Sequence, residues 1–135
     1  MPFTYHRKVH FADTDSAGVV FFANYLVICH EAYEESLSAQ GIDLKTFFAV
    51  HGVVVPVTKS EAEYRRPLSC GNRLEVTVLP RVLSENTFEI RFEITRVDPL
   101  GKTAGLVRTE HVCIDSETRE RRPLPAPLLA WVQKG

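Results

Sequence analysis

Only three cysteines, Cys29, Cys70 and Cys113, occur in the 135 residues. They are far apart, odd in number and form no Cys-x-x-Cys pair, which argues against a zinc site or a disulfide framework and fits a reducing compartment. Long apolar runs are also missing. The opening residues MPFTYHRKVH hold no apolar core of signal-peptide length, and no segment approaches the ~20 apolar residues that a bilayer span needs. These absences lead to the expectation of a cytoplasmic chain. Neither sign of charge is in excess, with 16 Lys and Arg against 17 Asp and Glu. No broad basic field is therefore available for nucleic acid, although a local patch could hold a small anion. There is no glycine-rich phosphate loop and no G-x-S-x-G turn, which argues against P-loop enzymes and serine hydrolases. His6, His10, His51 and His111 show no ligand spacing, so no metal is expected.

What is present reads as an ordinary globular composition, 44% apolar and 24% charged. One domain over residues 1–135 is expected, without repeat, low-complexity tract or flexible linker. TYHRKVHF (4–11) mixes aromatic and β-branched residues with charges and predicts a first strand, which the turn-rich ADTDSAG (12–18) ends. From about Asn24 to Gln40, Leu26, Cys29, Tyr33 and Leu37 recur at steps of three and four, and Gly41 supplies a stop. The apolar residues Val19, Val20, Phe21 and Phe22 lead into this helix, so its first turn is expected to be buried. A short helix around Leu44–Val50 follows, ended by Gly52.

The remainder predicts strands. VVVPVTKSEAEYRR (53–66) is long and extended, with Pro56 marking an edge or bulge. RLEVTVLPRVL (73–83) places Leu74, Val76 and Val78 on one face. In TFEIRFEITRV (87–97), Phe88, Ile90, Phe92 and Ile94 face one way and Glu89, Arg91, Glu93 and Thr95 face the solvent. DPLGK (98–102) reads as a turn, AGLVRTEHVCID (104–115) as the last strand, and APLLAWVQ (126–133) as a closing helix. This order is an α+β layout with one central helix buried by an antiparallel sheet. At this size one sheet does not cover both itself and a pocket well, so at least a homodimer is expected.

The stretch HFADTDSAGVVFFANYL (10–26) sets Asp13 and Asp15 immediately before the most hydrophobic part of the chain. One reading is helix capping, a contribution of roughly 1 kcal/mol. The other is chemistry. Gly18 lets a backbone approach a ligand closely, and the amides that follow can form an anion-binding helix start. A carboxylate beside an oxyanion-stabilising backbone, with apolar walls, suits acyl transfer. Val19, Phe21, Phe22 and Tyr25 serve equally as core or as the walls of an aromatic slot.

FADTDSAGVVFFANYL, followed by YRRPLSCGNRLEV, resembles the hotdog-fold thioesterases of the 4-hydroxybenzoyl-CoA thioesterase type, and the likeness runs to the final PLPAP. The resemblance implies a long helix wrapped by an antiparallel sheet, and dimers that share a continuous sheet with active sites at the subunit interface. Homodimers or homotetramers are thus expected. It implies Asp15 as the catalytic carboxylate, the Phe22 backbone amide as the holder of the thioester carbonyl, and Gly18, Val19, Tyr25 and His30 as substrate contacts. Asp13 is expected to order the loop. Coenzyme A enters as part of the substrate, and no separate cofactor is expected. Within the family, FADTDSAGVVFF, CHEAYE (29–34), HVCI (111–114) and PLPAP (123–127) resemble the cyanobacterial 1,4-dihydroxy-2-naphthoyl-CoA hydrolases, which release the naphthoate used to build phylloquinone.

Two departures matter. Where the hydroxybenzoyl enzyme has an aspartate addressing the ring hydroxyl, this sequence has His30, with Glu31 beside it; an imidazole can donate to or accept from a naphthol. Where that enzyme has a basic run between two strands, this sequence has SEN (84–86). The candidates for the CoA phosphates are therefore Arg65 and Arg66, and Arg121 and Arg122 beside Arg119, since arginine forks suit phosphate. The competing readings are a thioesterase of the same mechanism acting on short acyl-CoAs or 4-hydroxybenzoyl-CoA, and a non-catalytic acyl-CoA-binding module. A hotdog dehydratase would need a histidine in the loop before the helix, and none is there.

Overall fold

The computed structural model describes residues 2–98 and 101–134. Strand β1 (Phe3–Lys8) leads through a single 3-10 turn (Phe11–Asp13) to helix α1 (Asn24–Ala39) and short helix α2 (Phe47–His51). Then come β2 (Val53–Val54), β3 (Val57–Tyr64), β4 (Arg73–Ser84), β5 (Thr87–Arg96), β6 (Lys102–Val112), β7 (Ile114–Asp115) and helix α3 (Ala126–Lys134). The main sheet runs β1-β4-β5-β6-β3, every neighbouring pair antiparallel, and β2 pairs with β7. This is the α+β layout that the sequence pattern predicts and the hotdog arrangement that the resemblance implies. Pro56, which has no N–H for a ladder, sits where the expected long strand divides into β2 and β3.

The period-2 and period-3.6 patterns converge on one core. Leu74, Val76 and Val78 of β4 and Phe88, Ile90, Phe92 and Ile94 of β5 pack with Ile28, Cys29, Ala32 and Leu37 of α1. Each of the Val, Leu, Ile and Phe side chains among them contributes roughly 1.5–3 kcal/mol by leaving water. The helix packs tightly against β6 at Gly105, where an added Cβ would lie 3.0 Å from Cδ2 of Tyr25. The Tyr25 hydroxyl donates to the carbonyl of Arg66 at 3.1 Å, so the first turn of α1 is tied to the segment after β3. At the other end Trp131 Nε1 donates to Ser36 Oγ at 2.9 Å and fastens α3 to α1. Among the described residues no helix is long and apolar enough to cross a membrane.

Three local expectations need correction or limitation. Residues 19–22 are not a buried helical turn: α1 begins at Asn24, and of the four only Val20 is buried, while Phe21 and Phe22 are exposed. Glu89, expected to face water, is only 1% exposed, because Arg81, Arg91 and Arg108 cover it and pair with its carboxylate at 3.1, 3.1 and 2.7 Å. Hydrogen bonds from Arg108 and Arg91 hold this carboxyl below its ordinary range against the opposing effect of burial. The expected turn at 98–102 includes residues 99 and 100, which lie outside the described residues. Strand β3 forms one edge of the sheet and is exposed along most of its length.

Candidate active site

The loop from β1 to α1 is built around Asp13. Its carboxylate takes a two-pronged hydrogen bond from Arg7, at 2.6 and 3.1 Å, and the His10 amide at 2.7 Å. The Arg7 contact holds the Asp13 carboxyl below its usual range. The Asp13 carbonyl accepts the Phe21 amide and the Asn24 side chain, both at 2.9 Å. Arg7 also reaches Glu31 on α1 at 2.6 Å, and the Tyr5 hydroxyl donates to the same carboxylate at 3.0 Å. Asp13 therefore orders the loop and locks it to the helix. Neither aspartate caps α1, whose N-cap is Ala23 without a side-chain cap.

Asp15 is exposed at the tip of this framework. Its amide donates to Val19 O at 2.9 Å and its carbonyl accepts the Gly18 amide at 3.0 Å. One carboxylate oxygen accepts the Ala17 amide at 2.8 Å; the other has no partner among the described residues. Gly18 makes the tight return possible at φ +84°, where a Cβ would meet nothing within 4 Å, so backbone conformation rather than crowding favours glycine. The far side of the loop is pinned by Val20 N–H to Leu68 O at 2.8 Å and by the pairing of Val19 with Ser69. The Phe22 amide donates to no group among the described residues. Its ring stands beside Phe21 and edge-on to Tyr64, with centroids 4.7 and 6.3 Å away. An anchored carboxylate with a spare oxygen and an unpaired amide at the entry to a helix thus share one rigid loop. This arrangement can activate a nucleophile and stabilise a developing oxyanion.

Past this loop a groove of about 500 Å³ runs along α1, from Leu26 through His30 to Glu34, and is floored by Phe92, Thr109 and His111. A second hollow of about 420 Å³ shares His30, Tyr33 and His111 and reaches Phe48 and Val55. His30 is exposed on the shared wall and lies 5.7 Å from the Tyr33 ring. The structure gives Tyr25 a packing role at 4% exposure, and burial raises its pKa above the ordinary phenol value. Gly18, Val19 and Phe22 stay with Asp15 in the loop before α1, and none of the four lines the groove, which begins at Leu26.

The four candidate phosphate arginines separate into two pairs. Arg65 and Arg66 follow the C-terminal end of β3; Arg65 pairs with Glu63 at 3.0 Å and Arg66 donates to Thr103 O at 3.0 Å. Arg121 and Arg122 lie beside β7, near the chain entering the opposite end of β3. Arg122 holds Gly52 O at 3.0 Å and Asp115 at 3.3 Å. Thr109 and His111 line the groove, and no local pattern in the sequence marks either as a site residue. The HVCI segment carried His111, but its position in the groove follows from strand register, which no local pattern discloses.

Residues 9–132 match the model of the thioesterase-like superfamily. A 1,4-dihydroxy-2-naphthoyl-CoA hydrolase of Thermosynechococcus vestitus is 44% identical over 129 residues, covering 96% of this chain and 87% of the relative. Its counterpart in Crocosphaera subtropica is 42% identical, covering 96% and 95%. The crystal structure of a 1,4-dihydroxy-2-naphthoyl-CoA thioesterase from Synechocystis superposes with a TM-score of 0.92 at 34% identity, covering 98% of this chain and 96% of that one.

Proposed function

The chain belongs to the thioesterase-like superfamily, and from that premise we propose that it hydrolyses 1,4-dihydroxy-2-naphthoyl-CoA to the free naphthoate and coenzyme A, a step towards phylloquinone. The observation that carries this reading is the loop between β1 and α1, in which Asp15 keeps one oxygen free and the Phe22 amide is unpaired among the described residues. Its setting in a chain 42–44% identical to such hydrolases over nearly its full length adds the substrate. The thioester oxygen rests on the Phe22 amide, where a helix start favours developing negative charge. Asp15 drives attack on the carbonyl carbon, either directly, forming an acyl-enzyme anhydride that water then hydrolyses to free the naphthoate and the carboxylate, or by taking a proton from the attacking water. The thiolate of coenzyme A leaves and is protonated. His30, on the wall of the groove, meets a ring hydroxyl.

The working unit in this reading is at least a dimer. Phe21, Phe22, Val27 and Val57 leave apolar surface exposed beside the unpaired edge of β3, and such surface favours a partner chain. The eight-residue strand spans about 26 Å, which separates the two arginine pairs within one chain. Antiparallel pairing of β3 with its copy sets one chain's Arg65 and Arg66 near the other's Arg121 and Arg122, where both pairs can meet the phosphates of coenzyme A.

The test is thiol release by the purified chain from three CoA esters: 1,4-dihydroxy-2-naphthoyl, 4-hydroxybenzoyl and a short aliphatic acyl group. A kcat/KM at least tenfold higher for the naphthoyl ester is expected, a gap of about 1.4 kcal/mol. Preference for the aliphatic ester would reassign the substrate, and no thiol release from any ester would leave only a binding module.

A further inference from the structure

Thr109 and His111 lie two residues apart on the inner face of β6, and the register sets Ser60 of β3 opposite Thr109. All three line the groove along α1. His111 is 2% exposed and stacks on Phe88 with centroids 4.7 Å apart and planes 3° apart. Its Nδ1 lies 3.3 Å from the Val55 carbonyl and its Nε2 2.9 Å from Thr109 Oγ1. A carbonyl oxygen only accepts, so the proton of the neutral ring sits on Nδ1 and donates to Val55. Nε2 is then an acceptor, and the Thr109 hydroxyl must donate to it. Burial, pulling the His111 pKa down to about 4, keeps the ring neutral near pH 7 and preserves this direction. With its one proton directed at His111, Thr109 Oγ1 offers only lone pairs to the groove.

We propose that the Val55–His111–Thr109 chain makes Thr109 a specificity-determining acceptor that reads a donor hydroxyl on the ring of the bound acyl group. The inference rests on the thioesterase reading above and deepens it. Around Thr109 the groove is walled by Leu26, Val27, Val57 and Phe92, so a ring hydroxyl entering it loses water and needs an acceptor of fixed direction. A ring without that hydroxyl leaves Thr109 Oγ1 dry and half-satisfied, and this penalty discriminates more sharply than added apolar contact would. The Tyr33 ring also lines the wall, and its hydroxyl is buried without a partner among the described residues. Buried orphan hydroxyls are uncommon and point to water or a ligand.

The experiment compares wild type, Thr109→Val and Thr109→Ser on 1,4-dihydroxy-2-naphthoyl-CoA and on 2-naphthoyl-CoA, with thermal unfolding of each protein. Thr109→Val keeps the side-chain shape and removes the acceptor. It is expected to lower kcat/KM for the dihydroxy ester about tenfold and to leave that for the unsubstituted ester undiminished or raised, because the unpaired acceptor is gone, while Thr109→Ser keeps the wild-type ratio. Equal losses on both esters, or none on either, overturn the proposal. If Thr109→Val does not fold, calorimetry of the wild type with the two naphthoates decides. Binding about tenfold tighter for the dihydroxy acid, with a shift of the His111 ring ¹⁵N signals that 2-naphthoate does not produce, supports it; equal affinities overturn it. A wild-type protein that cleaves neither ester refutes the thioesterase reading instead, so the two failures are told apart.

Discussion

Replacing Arg7 with methionine removes the charge that joins the loop to the helix while keeping most of the side-chain volume. The Arg7 and Asp13 side chains are 7% and 12% exposed, so the change strands a nearly buried carboxylate. Breaking a buried pair from one side costs about 3–5 kcal/mol. Asp13 retains the His10 amide, which favours the lower end of that range. The contact with Glu31, whose side chain is 32% exposed, adds no more than about 1 kcal/mol. The expected loss is about 3 kcal/mol, or a fall in Tm of roughly 10 °C. The sign of the pH dependence follows from the direction of the Asp13 shift. A carboxyl held below its ordinary value stabilises the fold above the unfolded pKa of about 4, and that contribution fades as pH falls through the lower folded value. Arg7→Met should therefore cost most at neutral pH and less in acid. Urea denaturation of wild type, Arg7→Met, Asp13→Asn and the double variant closes a cycle, with an expected coupling of about 2 kcal/mol. A coupling near zero at pH 7 would refute the claim that this pair holds the loop.

Gly105→Ala places a Cβ 3.0 Å from the Tyr25 ring and should cost about 1–3 kcal/mol; kcat should fall too, because the start of α1 must move. An unchanged unfolding midpoint would show that the helix approaches the sheet less closely than described. His111, buried with its pKa lowered to about 4, takes up fewer protons folded than unfolded between that value and its ordinary 6.5. Its contribution to stability is therefore present at pH 7 and is lost on acidification towards 4, by roughly 3 kcal/mol at 1.36 kcal/mol per unit. A stability-against-pH series should show this slope for the wild type and not for His111→Gln; identical slopes would assign it to other groups.

Where structure follows local periodicity, the sequence discloses it. The alternation of Phe88 to Ile94 marks the buried face of β5, the four-residue spacing of Cys29, Tyr33 and Leu37 marks the packed face of α1, and Pro56 marks the break between β2 and β3. Where structure depends on residues distant in sequence, local reading fails. Glu89 alternates as a solvent-facing residue, yet arginines from three strands converge on it once register is set. Phe21 and Phe22 read as buried because they are hydrophobic, yet both are exposed, since hydrophobicity alone does not place a loop residue in the core. The D-x-D loop is legible as a motif, but the motif alone does not divide the labour between its aspartates. The division is visible in the hydrogen bonds: both Asp13 oxygens face Arg7, and only one Asp15 oxygen is engaged. Thr109 and His111 share a face of β6 by local alternation, but only the β3–β6 register sets Ser60 opposite Thr109.

The most direct test of the account is the turnover of Asp15→Asn on 1,4-dihydroxy-2-naphthoyl-CoA. The amide oxygen can keep the Ala17 hydrogen bond, so the loop and Tm should be unchanged, while neither nucleophilic attack nor proton abstraction survives. A fall in kcat of about 10²–10⁴-fold is predicted. Turnover within about threefold of wild type, with the fold intact, would contradict the assignment of the chemistry to this side chain.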